Sequence, residues 1–457
     1  MIIGRMHYMS GKEPPPEIDL HHGDPVKIGD VFLGGGHPVA IQSMTNTATS
    51  NVGATVGQAM RLFDAGAHMV RIAVADRASA DVLPEIRKKL ASAGYRKPLI
   101  GDIHFRPELA MTAARHLDKV RINPGNFSGS SPADKALAAL VKVCRDHGTA
   151  IRIGTNTGSL PANIVQQYGR SPEGMVEATT TFLRKLEDLG FFQTVISLKA
   201  SHPHDMVRAC MLMQEKMKQS GRIYPLHIGL TEAGSGIAGR IRSAVGIGTL
   251  LKMGIGATIR VSLTENPENE IPVARMITEF VRAAIEPAPG KTTGERLHYE
   301  AGCPQEVAIR AAIDIGDRLL LGKTKHFTLQ APGLKDQMVV EEIRQLLLQA
   351  AGLPNTLTEF IACPACGRAA MDVEQLLEEV KRTAGSLPGI KIAVMGCVVN
   401  GPGEMAGAHY GLMGAGKDNI WLYKDGEVVG KNIPQKKAAK ELVRLLRADK
   451  RLPAEYG

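Results

Sequence analysis

Aromatic residues are scarce in this sequence: Phe, Trp and Tyr make up 4% of 457 positions, with a single Trp, and no block of Lys/Arg occurs. Nucleic-acid binding relies on stacking platforms or clustered basic runs, so a net charge of +9 reads instead as a basic pocket for an anionic small molecule, with no nucleic-acid partner. No apolar run approaches the roughly eighteen residues that cross a bilayer, which excludes a membrane span. Met1 to Glu17 lacks an apolar signal core and contains Pro14-Pro15-Pro16, so it reads as a tail. Six cysteines are too few for a disulfide framework, and reduced thiols fit a cytoplasmic address. Cys144, Cys210 and Cys303 stand alone and read as buried small apolar residues. No Gly-x-Gly-x-x-Gly turn follows the first predicted strand, which argues against an open dinucleotide-binding sheet.

What is present is a repeating pattern. Eight short apolar, β-branched runs begin at Val39, His68, Pro98, Lys119, Ala150, Thr194, Pro225 and Thr258, with helix-period segments between them. Strand–helix alternation predicts a parallel sheet, and eight units predict a (β/α)8 TIM-type barrel over residues 25–265 behind a tail at 1–24. Helices are expected over 55–65, 108–117 and 132–147, stopping near Gly66 and Gly148. From residue 266 to 355 the pattern becomes a helical insertion or linker carrying no chemical motif. A second small α/β domain is expected over 356–457.

Four predicted strands share an apolar-Arg-apolar pattern at Arg71, Arg121, Arg152 and Arg260. An arginine in the middle of a barrel strand is costly unless it meets an anion. The shared register sends all four the same way, and strand parity permits that way to be inward. Lys199 ends the sixth strand, while Asn156, His227, Glu232 and Ser262 lie at or just past strand ends, where this fold keeps its catalytic groups. Guanidinium forks suit phosphate oxygens, so the set predicts a site for a di- or bis-phosphorylated small molecule. Each arginine has an alternative reading as half of an internal ion pair. Glu232 reads either as an acid/base group or as an ion partner of Arg260 or Lys199. Asp102 and His104 read as packing or supporting groups rather than metal ligands.

The small domain carries Cys363-Pro-Ala-Cys366 and then Cys397-Val-Val-Asn400-Gly-Pro-Gly-Glu404. Cys-x-x-Cys alone serves zinc, dithiol and iron–sulfur chemistry alike, and His409 could complete a zinc site. Both cysteine groups are expected at strand ends, and the glycines at 396, 401, 403, 407, 411 and 414 let backbone approach a bulky inorganic core. That room favours a cluster over zinc.

The run Gly-Cys397-Val-Val-Asn-Gly-Pro-Gly-Glu404, with Ala-Cys363-Pro-Ala-Cys366 upstream, resembles the 4-hydroxy-3-methylbut-2-enyl diphosphate synthase family of the non-mevalonate isoprenoid pathway. Gln42-Ser-Met-Thr45, Asp102-Ile-His-Phe105, Arg121-Ile-Asn-Pro-Gly-Asn126, Lys199-Ala-Ser201 and Leu226-His-Ile-Gly-Leu-Thr-Glu-Ala-Gly234 agree with it. The resemblance implies reductive opening of 2-C-methyl-D-erythritol 2,4-cyclodiphosphate through a 4Fe–4S cluster, with electrons from flavodoxin or ferredoxin. It implies that Cys363, Cys366, Cys397 and Glu404 hold the cluster, and that Arg71, Arg121, Arg152, Lys199, Arg260 and Ser262 bind the diphosphate. Asn156, His227, Glu232 and Asn400 are implied near the reacting carbons, and homodimers are implied in which one chain's cluster domain covers its partner's barrel. The sequence departs from shorter family members over 266–350 and carries Arg106 where some have an acidic residue. The alternatives remaining are a Schiff-base lyase or aldolase built on Lys199 with a zinc tail, and a basic RNA-binding protein with a zinc module.

Overall fold

The computed structural model of the chain describes residues 23–127, 133–285, 295–364, 369–398, 401–416 and 418–452. Eight parallel strands run at Ala40–Met44, Met69–Val74, Leu99–Ile103, Lys119–Ile122, Ala150–Asn156, Thr194–Lys199, His227–Ile228 and Thr258–Ile259. Each pairs with its neighbour in chain order, and the eighth pairs with the first. A parallel bridge between Ile196 and Leu226 joins the sixth strand to the seventh and closes the ring. The hairpin Val26–Ile28 and Val31–Leu33 plugs the bottom, its Val26, Ile28 and Leu33 packing with Met69, Ile100, Ala150 and Val195.

The helices form for local reasons. Val52–Asp64 opens after Asn51, whose side chain accepts from the Ala54 amide at 3.1 Å, satisfying one of the donors a helix start leaves bare. Its buried Thr55, Gln58, Ala59, Leu62 and Phe63 form one stripe against the strands. The wide gap before the sixth strand is filled by two helices, Ala162–Tyr168 and Pro172–Asp188. Among the lone cysteines, Cys144 and Cys210 are buried, but Cys303 is exposed: it sits just outside the helix Pro304–Leu320, at its first turn rather than on its packed face.

Beyond the last strand, Glu270–Ile285 packs against the first strand and closes the outer ring of helices. Pro304–Leu320 and Gln337–Ala350 then pack on the barrel helix Gly236–Lys252, and their Ile309, Ile313, Ile343 and Leu347 belong to the same continuous core as the barrel.

The small domain is a five-stranded sheet ordered Glu359–Ala362, Lys391–Met395, Tyr410–Gly414, Asn419–Lys424 and Glu427–Pro434, parallel in its first two pairings and antiparallel in the rest. The helices Val373–Ala384 and Gln435–Ala448 cover one face with a leucine-rich core. The other face carries Ile361, Met395, Met405 and Met413. No described helix is long and apolar enough to cross a membrane.

Candidate active site

The barrel mouth and the small domain enclose one cavity. Its barrel wall carries Arg71, Arg121, Arg152, Lys199 and Arg260, and its other wall carries Cys363, Cys397 and Glu404. The four arginines do face inward, because the same alternation that buries Val70, Ile72, Val120 and Ile122 outward under the helices turns the residues between them to the axis. Asn156, Glu232 and Ser262 line the same space.

Each cation is held differently. Arg121 lies across Gly154 and donates to its carbonyl oxygen at 2.9 Å; a Cβ on Gly154 would stand 2.2 Å from the Arg121 Nε. Its other end meets Asp102 at 3.4 Å and the His104 Nε2. Arg260 is paired with Glu270, whose oxygens accept from its Nε and Nη2 at 3.2 and 3.1 Å and from the Ser43 hydroxyl at 3.0 Å. Arg152 is 1% exposed, and its Nε and Nη1 have no hydrogen-bond partner. Burial, then Arg71, Arg152 and Arg260, pull the Lys199 ammonium well below its ordinary range. A cavity that buries this much positive charge beyond what Asp102 and Glu270 offset is built for an anion.

The acidic side is equally strained. Glu232 adopts a left-handed backbone at φ 51° and accepts from the Ser201 hydroxyl at 2.8 Å; strain of this kind persists where the surroundings impose it, often at functional sites. Asn156 donates to Glu404 at 3.3 Å, bridging the two walls. Burial, then the charge and hydrogen bond of Glu232, then Cys397, push the Glu404 carboxyl well above its ordinary range. A carboxylate buried beside two other anionic groups is stabilised by a cationic centre between them. Cys363 follows its strand directly, and its sulfur accepts the Gly396 amide at 3.1 Å. Two thiols and a carboxylate on one wall are the donor types that hold iron–sulfur clusters. Among the described residues no three such groups close on a single metal position; Cys366 and Asn400, the other two residues named for this wall, lie outside the described residues.

Two expectations change. His227 does not line the cavity. It pairs in register with Thr258 and contacts its hydroxyl at 3.3 Å, one inward layer beneath Arg260, because inward residues alternate along a strand. Arg260 takes Glu270 as its ion partner, and Glu232 turns to Ser201 and Glu404 instead. Glu270 lies in the stretch read as free of chemical motif. It opens a helix of otherwise ordinary amphipathic pattern, so only its burial at 2% exposure marks it. Asp102 and His104, read as supporting groups, stand on the cavity wall itself.

Fold and site together define a TIM-barrel protein whose cationic mouth is capped by a thiol-bearing α/β domain. The family model described as the GcpE TIM-barrel domain matches residues 23–275, and that described as the GcpE protein C-terminal domain matches 359–448. The chain belongs to the GcpE family. It is 39% identical over 459 aligned positions to a Rippkaea orientalis protein named 4-hydroxy-3-methylbut-2-en-1-yl diphosphate synthase (ferredoxin), covering 95% of this chain and 96% of that one. A Bacteroides fragilis protein named as the flavodoxin form is 32% identical, with 93% and 95% covered.

Proposed function

We infer that this chain converts 2-C-methyl-D-erythritol 2,4-cyclodiphosphate to 4-hydroxy-3-methylbut-2-enyl diphosphate, the product for which its relatives are named. The observation that carries this reading is a single cavity with a cationic wall from the barrel and a thiol-and-carboxylate wall from the small domain. The reaction takes in two electrons and one proton. One carbon–oxygen bond to phosphate and one to hydroxyl break, a carbon–carbon double bond forms, and water leaves.

A 4Fe–4S cluster on Cys363, Cys366, Cys397 and Glu404 would supply the electrons, received from ferredoxin or flavodoxin. The chain's own residues do the rest. Arg71, Arg121, Arg152 and Lys199 hold the diphosphate, with the unpartnered Nε and Nη1 of Arg152 as donors awaiting oxygen acceptors. A bound anion offsets the neighbouring guanidinium charges and draws the Lys199 ammonium back toward its ordinary range. Ser262 lines the phosphate side, and Glu270 fixes Arg260 without occupying the cavity. Glu232, steadied by the Ser201 hydroxyl, stands beside the reacting carbons and delivers a proton to the departing hydroxyl oxygen. Asn156 orients Glu404 through its amide, and Asn400 belongs to this wall in the same reading. A cytoplasmic address fits the reduced thiols.

Metal and sulfide analysis of protein purified without oxygen tests the cofactor. About four irons and four sulfides per chain are expected. One zinc without sulfide would overturn this reading in favour of the Lys199 Schiff-base alternative, which the relatives' names do not favour.

A further inference from the structure

The chain's positive charge is unevenly placed. Residues 431–451 hold eight Lys and Arg against Glu441 and Asp449, so 21 positions carry +6 of the chain's net +9. The sequence spaces these cations out, and the fold gathers them. In the helix Gln435–Ala448 the buried stripe is Ala438, Ala439, Leu442 and Leu446, which turns Lys436, Lys437, Lys440 and Arg444 to solvent. The nearby carboxylates leave most of that charge standing. Glu441 meets Arg444 at 3.0 Å, while Asp449 turns to Lys424 and Tyr410 at 2.6 and 2.7 Å. On the adjoining helix Val373–Ala384, Glu378 accepts from Lys381 and from Ser235 of the barrel instead.

This basic face adjoins the thiols. The first, second, third and fifth strands of the small sheet run in one direction. Cys363 and Cys397, which follow the first two, therefore share an edge with Gln435, which follows the fifth. Hydrogen bonds run along that edge. The Gln435 amide donates to the Asp418 carbonyl at 3.0 Å, Asp418 to Ala370 at 3.3 Å, Ala370 to Gly396 at 2.9 Å, and Gly396 to the Cys363 sulfur at 3.1 Å. Lys431 adds a second connection. Its ammonium stands 5.4 Å from the Trp421 ring centre, and Trp421 packs on the same small core as Cys363.

A basic face on the cysteine edge fits an acidic protein that brings electrons there, because complementary charge steers encounter and fixes register. We propose that Lys431, Lys436, Lys437 and Lys440 form the docking surface for an acidic ferredoxin. Each docking passes one electron from the reduced carrier to the cluster of the reading above, and two passages supply the two electrons that the reaction takes in. The occupant rests on that reading, so binding is measured apart from turnover.

Protein purified without oxygen is titrated with oxidised ferredoxin at low salt in a calorimeter. Lys436→Glu, Lys437→Glu and Lys440→Glu together should weaken binding at least tenfold, and added salt should weaken the wild-type affinity as well. The control variant carries Lys27→Glu, Lys88→Glu and Arg115→Glu, at residues lining a cleft at the barrel end that the hairpin plugs. It makes the same change in net charge and should leave the affinity within twofold. Equal weakening in both variants would reduce the effect to net charge and overturn the proposal. Unchanged binding in the first variant, or no binding by wild type, would overturn it too.

Turnover gives the second readout. The first variant should show its KM for ferredoxin raised at least tenfold. With reduced methyl viologen, a small donor that needs no acidic surface, its rate should match wild type. An equal loss with both donors would overturn the docking role. Ferredoxin binding that the first variant loses, in a chain that leaves the cyclic diphosphate untouched with either donor, would sink the functional reading and leave the docking surface standing.

Discussion

Arg152 and Arg260 occupy one cavity wall and predict opposite outcomes. Arg152 is buried with two unpartnered nitrogens, so Arg152→Met should raise unfolding free energy by about 1–4 kcal/mol while weakening substrate binding at least tenfold. Denaturant titration read beside KM checks both, and a destabilised variant would contradict the account. Arg260 rests on Glu270, so Glu270→Ala strands a buried cation and should cost about 3–5 kcal/mol in the same titration. Burial pushes the thiols of Cys144 and Cys210 up to about 12, leaving about one part in ten thousand as thiolate at pH 8. A maleimide should therefore label the exposed Cys303 at pH 8 and spare Cys144 and Cys210 until the chain unfolds. The unfolded thiols lose their protons first on raising the pH, so this contribution to stability falls from about pH 9 to about 12. The arginines were legible at this scale because a charge in mid-strand breaks the apolar pattern. Glu270 was not, because a glutamate opening an amphipathic helix breaks no pattern, and Cys303 was misjudged because an isolated cysteine carries no sign of which side of a helix start it occupies.

At the scale of elements, the site depends on two close approaches. Gly154 leaves room for the Arg121 guanidinium, and Gly158 lets the turn Thr157–Ser159 touch the segment Gly401–Glu404, where a Cβ would stand 2.9 Å from the Glu404 Cγ. Gly158→Ala should lower kcat/KM about tenfold, roughly 1.4 kcal/mol, with the circular dichroism spectrum unchanged; wild-type kinetics would deny that this seam matters. The eight barrel strands were readable from periodicity because each is a compact β-branched run. The strand Tyr410–Gly414 and the hairpin partner Glu427–Pro434 were not: the first is Gly-Leu-Met-Gly in its core, and the second is largely exposed, so neither carries the apolar β-branched signature. His227 lies one layer below Arg260, and its sequence run alone does not say so, because it does not show which of its residues pairs with Thr258. Register is a property of two strands, and one strand does not contain it.

The whole molecule joins a barrel that gathers positive charge to a small domain that gathers thiols, and its chemistry arises only where they meet. Composition and motif were enough to name both halves, since each carries its own residues in a short run. How they face each other was not legible, because it rests on Arg242, Gln349 and Glu359, three residues from separate segments with no shared motif. The central claim is the reaction, and its most direct test is a single measurement. Oxygen-free protein is mixed with reduced ferredoxin and the cyclic diphosphate, and product is quantified by mass spectrometry against electrons consumed. The account predicts 4-hydroxy-3-methylbut-2-enyl diphosphate at two electrons per molecule. Substrate left intact by protein carrying its full iron and sulfide would contradict it.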